Sequence, residues 1–330
     1  MENRPSIVAL IATRFRSVLL SRLLSSLASQ TLRPQAAVIT DNGPDPATSL
    51  AVQRSPIPAK LLSPGKNLGF GGGLALAGQH ALEKFPSLTH LLIVDDDAIL
   101  SPSDLATLLS SMEKNSAGSI APFLIDFEGK LQEVPEPVSW SLARAFRAAG
   151  QNLSAARDLA PSGYPMAWCI GPCLLIRKDA WLLAGPPRSD MIAYGDDVEF
   201  SLRLSAAAPA WAEPSVAVIH APPAASRPPS DMSSEALAKE EAPPESARLG
   251  AKEGRSTQDR SAHYKKFGIL LQNLAFTCVT SPRPRHLPLY LPGNARRFLK
   301  TFGPTPANIL EVFRRYALGL LGLPPSKIQN

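Results

Sequence analysis

Three adjacent carboxylates, Asp95, Asp96 and Asp97, stand directly after the apolar run Leu91 to Val94. Carboxylates held so close repel one another, and a cation is the natural compensation. In extended backbone Asp95 and Asp97 point one way and Asp96 the other. Oxygen ligands suit Mg2+ or Mn2+, ions that commonly join a protein carboxylate to substrate phosphates. The competing reading is an acidic loop that water alone solvates. A second acidic pair, Asp196-Asp197, precedes Val198, Leu202 and Leu204, a spacing compatible with a helix. Acids at a helix start are also favoured by its dipole, so a purely structural role competes there. His220 closes the apolar stretch from Ser215. An isolated histidine mostly fills surface or core, but imidazole can complete a metal site otherwise built of carboxylates.

These groups need a scaffold. Leu91 to Val94 reads as a short strand buried on both faces, as in a mostly parallel sheet. Open α/β sheets place ligands outside the carboxyl ends of their strands, which is where the acids fall. Ile7 to Ala12 reads as the first strand, with Thr13-Arg14-Phe15-Arg16 at its end, and Val18 to Gln30 as a helix. Ala36 to Thr40 is a second strand running into the turn Asp41-Asn42-Gly43-Pro44. Asp41 either accepts hydrogen bonds from a nucleobase or ribose, or only shapes that turn. Leu61-Leu62 is a weak third strand. Asn67-Leu68-Gly69-Phe70-Gly71-Gly72-Gly73 then leads into a helix over Leu74 to Leu82. Such glycines let backbone amides approach a negatively charged ligand. They do not form the G-x-G-x-x-G fingerprint of dinucleotide sites, since position 74 is Leu and the run follows the third strand. Further along, Ser103 to Met112 reads as a helix, Ser119 to Ile125 and Leu174 to Arg177 as strands, and Asp126 to Lys130 as a hairpin turn. Residues 135 to 165, mixed in Pro, Ala and polar types, are expected to form a mobile loop on the acceptor side.

The chain has 330 residues, 45% of them hydrophobic, enough for one large or two modest domains. A formal charge of +6 favours anionic partners, yet no basic run is long enough to favour nucleic acid. Three cysteines make an odd number without a tetrahedral zinc set, which points to a reducing, cytoplasmic location. No stretch approaches the roughly 20 apolar residues that cross a bilayer. Residues 221–258 are rich in Pro, Ala and charge and are read as a flexible insertion. Residues 259–330 are read as a helical extension. Its segment Ile309 to Leu321 sets Arg beside Leu and Phe, so it either rests on an anionic membrane surface or packs on its own core.

Taken in order, seven segments resemble the family 2 glycosyltransferases of the GT-A nucleotide-diphospho-sugar transferase fold. They are Thr13, Asp41-Asn42-Gly43, Asn67 to Gly73, Asp95 to Asp97, Trp168 to Gly171, Asp196 to Arg203, and His220. The chain is most similar to the galactofuranosyltransferase and rhamnosyltransferase branch, over about residues 6 to 220. The resemblance implies an α/β domain over 1–220 and an inverting, metal-dependent hexosyltransferase. Its donor would be UDP-galactofuranose or dTDP-rhamnose, and its acceptor a glycan or lipid-linked sugar of the cell surface. Mg2+ or Mn2+ would lie on Asp95, Asp97 and His220. Thr13, Asp41, Asn67, Gly69, Phe70, Gly71 and Asp96 would serve the donor. Trp168, Gly171 and Asp196 would serve the acceptor, and Asp197 would be the general base. Work at the cytoplasmic side of a membrane would follow. A non-catalytic sugar-binding protein on the same fold and a nucleotidyltransferase are the alternatives. The chain departs from its relatives in having Asp196-Asp197 for the common Glu-Asp, and in His263 to Gly268, which lacks a family Arg-Asn.

Overall fold

A computed structural model describes residues 5–191 and 195–220. The 221–258 insertion and the 259–330 extension expected from the sequence lie outside the described residues. The chain runs β1 (Ile7–Thr13), α1 (Ser17–Ala28), β2 (Ala36–Asp41), α2 (Pro46–Gln53), β3 (Ala59–Leu62), α3 (Gly69–Lys84), β4 (His90–Val94) and β5 (Ala98–Ile99). It continues through α4 (Asp104–Lys114), β6 (Ser119–Ile125), β7 (Leu131–Glu133), β8 (Glu136–Pro137), α5 (Trp140–Ala149), α6 (Leu153–Leu159) and β9 (Tyr164–Trp168). β10 (Cys173–Arg177), α7 (Lys178–Ala184), α8 (Asp196–Ala207) and β11 (Ala210–His220) complete it.

One sheet joins all the strands, in the order β3-β2-β1-β4-β10-β6-β11-β9-β8, with β5 added on β11 and β7 on β6. Pairing is parallel from β3 through β4 and again between β6 and β11. β10 is antiparallel to both its neighbours, β4 and β6. The expected mostly parallel sheet is therefore a mixed one. β4 and β10 are not joined by a single crossover helix: the chain between them passes through β5 to β9, and β10 enters beside β4 from the opposite end and runs back against it.

Strand alternation explains why the central strands read as unbroken apolar runs. In β1, Ile7, Ala9 and Ile11 face a core shared with Leu20, Leu23, Leu24 and Leu27 of α1 and with Leu105, Leu108 and Met112 of α4. Val8 and Leu10 face the opposite core, shared with Leu74 of α3, Trp181 of α7 and Phe200 of α8. Leu92 and Val94 of β4 join the first core, Leu91 and Ile93 the second. Burial on both faces leaves no polar alternation to see.

Two expectations are corrected. Residues 135–165 are not a mobile loop. Ser139 and Asn152 cap α5 and α6, accepting from Leu142 N and Ala155 N. Phe146 of α5 sits in the second core against Phe123 and Tyr164. The glycines 69–73 are also not a loop ahead of a helix but the first turns of α3 itself. Asn42 braces this start, donating to Gly69 O at 2.9 Å and accepting from Leu68 N at 3.0 Å, which gives the N-cap amide a partner that the helix itself does not supply.

Candidate functional site

The acid triplet sits where β4 ends, at the carboxyl edge of the sheet. β5 follows at once and pairs antiparallel with the end of β11, placing His220 opposite Ala98. This pairing closes a separation of more than a hundred residues. Nε2 of His220 lies 3.4 Å from Asp97 Oδ1 and 4.0 Å from Asp95 Oδ2. One ligand atom from each of Asp95, Asp97 and His220 falls within 4.8 Å of the others. Among the described residues, Asp95 Oδ1 is buried without a hydrogen-bond partner, and Asp97 Oδ1 has only the imidazole nearby. Buried polar atoms are nearly always paired, so two carboxylate oxygens left this way fit a divalent cation. The donor set, two carboxylates and an imidazole, suits Mg2+ or Mn2+ in chemistry.

Asp96 turns away, as alternation requires. It is 3% exposed, and its oxygens accept from Thr13 Oγ1 at 2.6 Å and Arg16 Nη1 at 2.9 Å. Arg16 also reaches Asp97 Oδ2 at 3.2 Å. The Thr13 hydroxyl is thus engaged by Asp96 rather than open to a donor, and Asp96 serves to anchor Arg16 and the end of β1. Arg16 is the charge that makes three neighbouring acids tolerable here. The sequence placed it at a strand end without assigning it a task, since its partners lie about eighty residues away.

The electrostatics follow. Burial pushes the Asp95 carboxyl well above its ordinary range, and the Asp97 charge pushes further. Burial also raises Asp96, against the opposing pull of Arg16 and Thr13. For His220, burial pulls the pKa down, but Asp97 and Asp95 overcome it and the net shift is upward. The charge of Asp197 also adds to the rise of Asp95.

The second acidic pair opens α8. Asp196 is 4% exposed and its Oδ2 accepts from Gly71 N at 2.9 Å. It ties the start of α8 to the start of α3 and presents little to a ligand. Asp197 is only partly buried, its Oδ2 accepting from Gly171 N at 3.1 Å and its Oδ1 from Val198 N at 2.8 Å. Burial raises both, and each other's charge adds to the rise of Asp196. A small cleft between α3, α8 and residues 169–171 is lined by Phe70, Ile170, Gly171, Pro187, Asp196 and Asp197. A Cβ on Gly71 would lie 2.5 Å from Arg188 O, and one on Gly171 would lie 2.9 Å from the Phe70 ring. Gly71→Ala is therefore expected to destabilise the protein by about 1–3 kcal/mol, read by chemical denaturation, because its obstacle is backbone.

The remaining expected site residues are more dispersed. Asp41 Oδ1 accepts from Gly43 N at 3.0 Å, so a turn-shaping role is visible. Asn67 Oδ1 accepts from Gly69 N at 2.9 Å, and Gly69 itself holds φ +74°. Trp168, at 8% exposed, is buried at the end of β9 and offers little open face for a sugar to stack on. Two residues that the sequence did not single out join the site: Arg16, and Gln132 of β7, which meets His220.

With this geometry in view, comparison with known proteins becomes informative. The family model for glycosyl transferase family 2 matches residues 9–180, just over half of the chain. The chain belongs to glycosyl transferase family 2. That membership makes it a glycosyltransferase. The transferase is 28% identical over 214 residues to galactofuranosyltransferase GlfT1 of Mycolicibacterium smegmatis, covering 62% of this chain and 67% of the relative. It is 28% identical over 221 residues to N-acetylglucosaminyl-diphospho-decaprenol L-rhamnosyltransferase of Mycobacterium tuberculosis, covering 61% and 71%. Solved structures confirm the GT-A fold. S. aureus TarS 1-349 in complex with UDP superposes with a TM-score of 0.56 at 12% identity, over 96% of this chain and 81% of that one. The mannosyltransferase PcManGT from Pyrobaculum calidifontis, in complex with GDP-Man and Mn2+, gives 0.52 at 16% identity, over 96% and 81%. The transferase spans about half, 49%, of the longer TarS chain. Among the described residues no helix is long and apolar enough to cross a membrane.

Proposed function

We propose that this transferase moves galactofuranose or rhamnose from a nucleoside-diphosphate donor to a glycan or lipid-linked acceptor, with inversion at the anomeric carbon. The observation that carries the reading is the convergence of Asp95, Asp97 and His220 beside Asp197, with two carboxylate oxygens lacking adequate partners. The names of the relatives support the choice of sugars.

Asp95, Asp97 and His220 would hold a divalent cation. When bound, that ion supplies positive charge for the diphosphate as it becomes the leaving group. Arg16, between Asp96 and Asp97, holds Asp97 in place from the opposite side. Asp197 takes the proton of the acceptor hydroxyl as its oxygen attacks the anomeric carbon. Its burial-raised proton affinity suits that task, and the Gly171 amide fixes one oxygen while the side chain stays partly open. Asp196 and the α3 glycines keep the two helix starts together.

The test is turnover on a panel of nucleotide sugars, with release of nucleoside diphosphate and the anomer of the product followed by NMR. Release from UDP-galactofuranose or dTDP-rhamnose, abolished by chelator and restored by Mn2+, is the expected result. Transfer with retention, or at full rate in chelator, would falsify the reading.

Cation binding should depend on pH with a definite sign. A proton on His220 competes with the ion, and the imidazole pKa is raised. Mn2+ affinity should therefore rise with pH while His220, and Asp95 with its raised carboxyl, lose their protons, and level off once both are deprotonated. Titration calorimetry across the neutral range checks this, and a flat profile would remove His220 from the ligand set.

A further inference from the structure

Gln132 stands where β7 is irregular. Leu124 pairs with Glu133 and Ile125 with Leu131, so Gln132 is the extra residue of a β-bulge. Bulges re-aim a side chain and are frequent beside active sites. The hairpin that precedes it is fixed by Asp126, whose Oδ1 accepts from Glu128 N and Lys130 N, and by Gly129 at φ +76°. The bulged side chain meets His220 at two points. Gln132 Nε2 donates to the His220 carbonyl at 3.2 Å, and Gln132 Oε1 lies 3.3 Å from His220 Nδ1.

The first contact settles the direction of the second. A carbonyl oxygen only accepts, so the amide nitrogen must face it and the amide oxygen must face the ring. An amide oxygen also only accepts, so Nδ1 carries the proton. In the neutral ring, Nε2 then holds a lone pair, and that nitrogen faces Asp97 Oδ1 at 3.4 Å and Asp95 Oδ2 at 4.0 Å. Three acceptors turned toward one point call for positive charge among them, either a second proton on the ring or a bound cation.

We propose that Gln132 is a positioning residue that locks the His220 ring with Nδ1 protonated and Nε2 turned toward Asp95 and Asp97. It reaches neither donor nor acceptor and acts through the histidine. The use of this lock in cation binding rests on the proposed function. The lock itself is a property of the metal-free protein.

Nitrogen NMR of the His220 ring in metal-free protein at alkaline pH tests the lock directly. The expected result is the Nδ1–H form in the wild type and a mixture of tautomers in Gln132→Met, a side chain of similar length with no amide. A wild-type ring carrying its proton on Nε2 would overturn the proposal, whatever the variant does. Mn2+ titration of the same samples gives the second reading. Outer-shell partners of metal-binding histidines typically contribute about 10–100-fold in affinity, and a weakening of that size is expected for Gln132→Met. Gln132→Glu keeps the acceptor for Nδ1 and should retain the tautomer while losing the bond to the His220 carbonyl. Unchanged tautomer and unchanged Mn2+ affinity in folded Gln132→Met would also overturn the proposal. Wild-type protein that shows the Nδ1–H form and binds no Mn2+ supports the lock and defeats the cation reading.

Discussion

Asp197→Asn should lower sugar transfer by about 10²–10⁴-fold while leaving donor affinity within a few-fold of wild type, the range that positioned acid–base groups contribute. Asparagine keeps one oxygen, enough for the Gly171 amide, and gives up the bond from Val198 N. On the proposed mechanism it also loses the capacity to take a proton from the acceptor hydroxyl. Loss of one amide contact and removal of a buried charge act in opposite directions on stability, so the fold should be retained with a small net change. The two measurements are transfer rate at saturating donor and acceptor, and donor binding by calorimetry. A variant that transfers at near-normal rate would remove Asp197 as the base. A variant that loses donor binding and transfer together would mark it as part of the donor pocket.

Asp97→Ala should be the most damaging change on the other flank. Its carboxylate touches both Arg16 and His220, whereas that of Asp95 approaches His220 alone among the charged partners described. Truncation would remove one of the proposed cation ligands and leave Arg16 with Asp96 alone of the two acids it bridges. We expect Mn2+ affinity to fall beyond ready measurement and transfer to fall by about 10²–10³-fold, the range seen when one group stabilising developing charge is deleted. Asp95→Ala should show the same direction. Excess Mn2+ should restore little in Asp97→Ala. Full activity of either variant in the presence of chelator would dismiss the cation from the mechanism.

Much of the scaffold was legible because its central strands are buried on both faces. β1, β2, β4 and β6 read directly as apolar runs, and the acids after β4 and His220 after β11 mark strand ends by an abrupt change in polarity. Less legible were elements whose reason for existing lies elsewhere in the chain. α2 has no counterpart among the elements read from the sequence, although Asp45 caps it by accepting from Ala47 N. The α3 start contains four glycines in five residues, which local propensity counts against a helix. Tertiary contacts override that preference, since Gly71 must bring its amide to Asp196 and has no room for a side chain. β5, only two residues long, is defined by β11 alone. The same limit explains the missed site residues. Arg16 and Gln132 act on partners some eighty residues distant, and no local period encodes such a pairing.

The hydrogen bonds from the Gly71 amide to Asp196 and from the Gly171 amide to Asp197 tie two stretches of backbone to the start of α8, and a methyl group at Gly71 would meet main chain. A larger residue at Gly71 therefore cannot be taken up without moving backbone. Adaptation to a new sugar on this architecture is easier at the rim, at positions such as Phe70 and Pro187, than at that glycine.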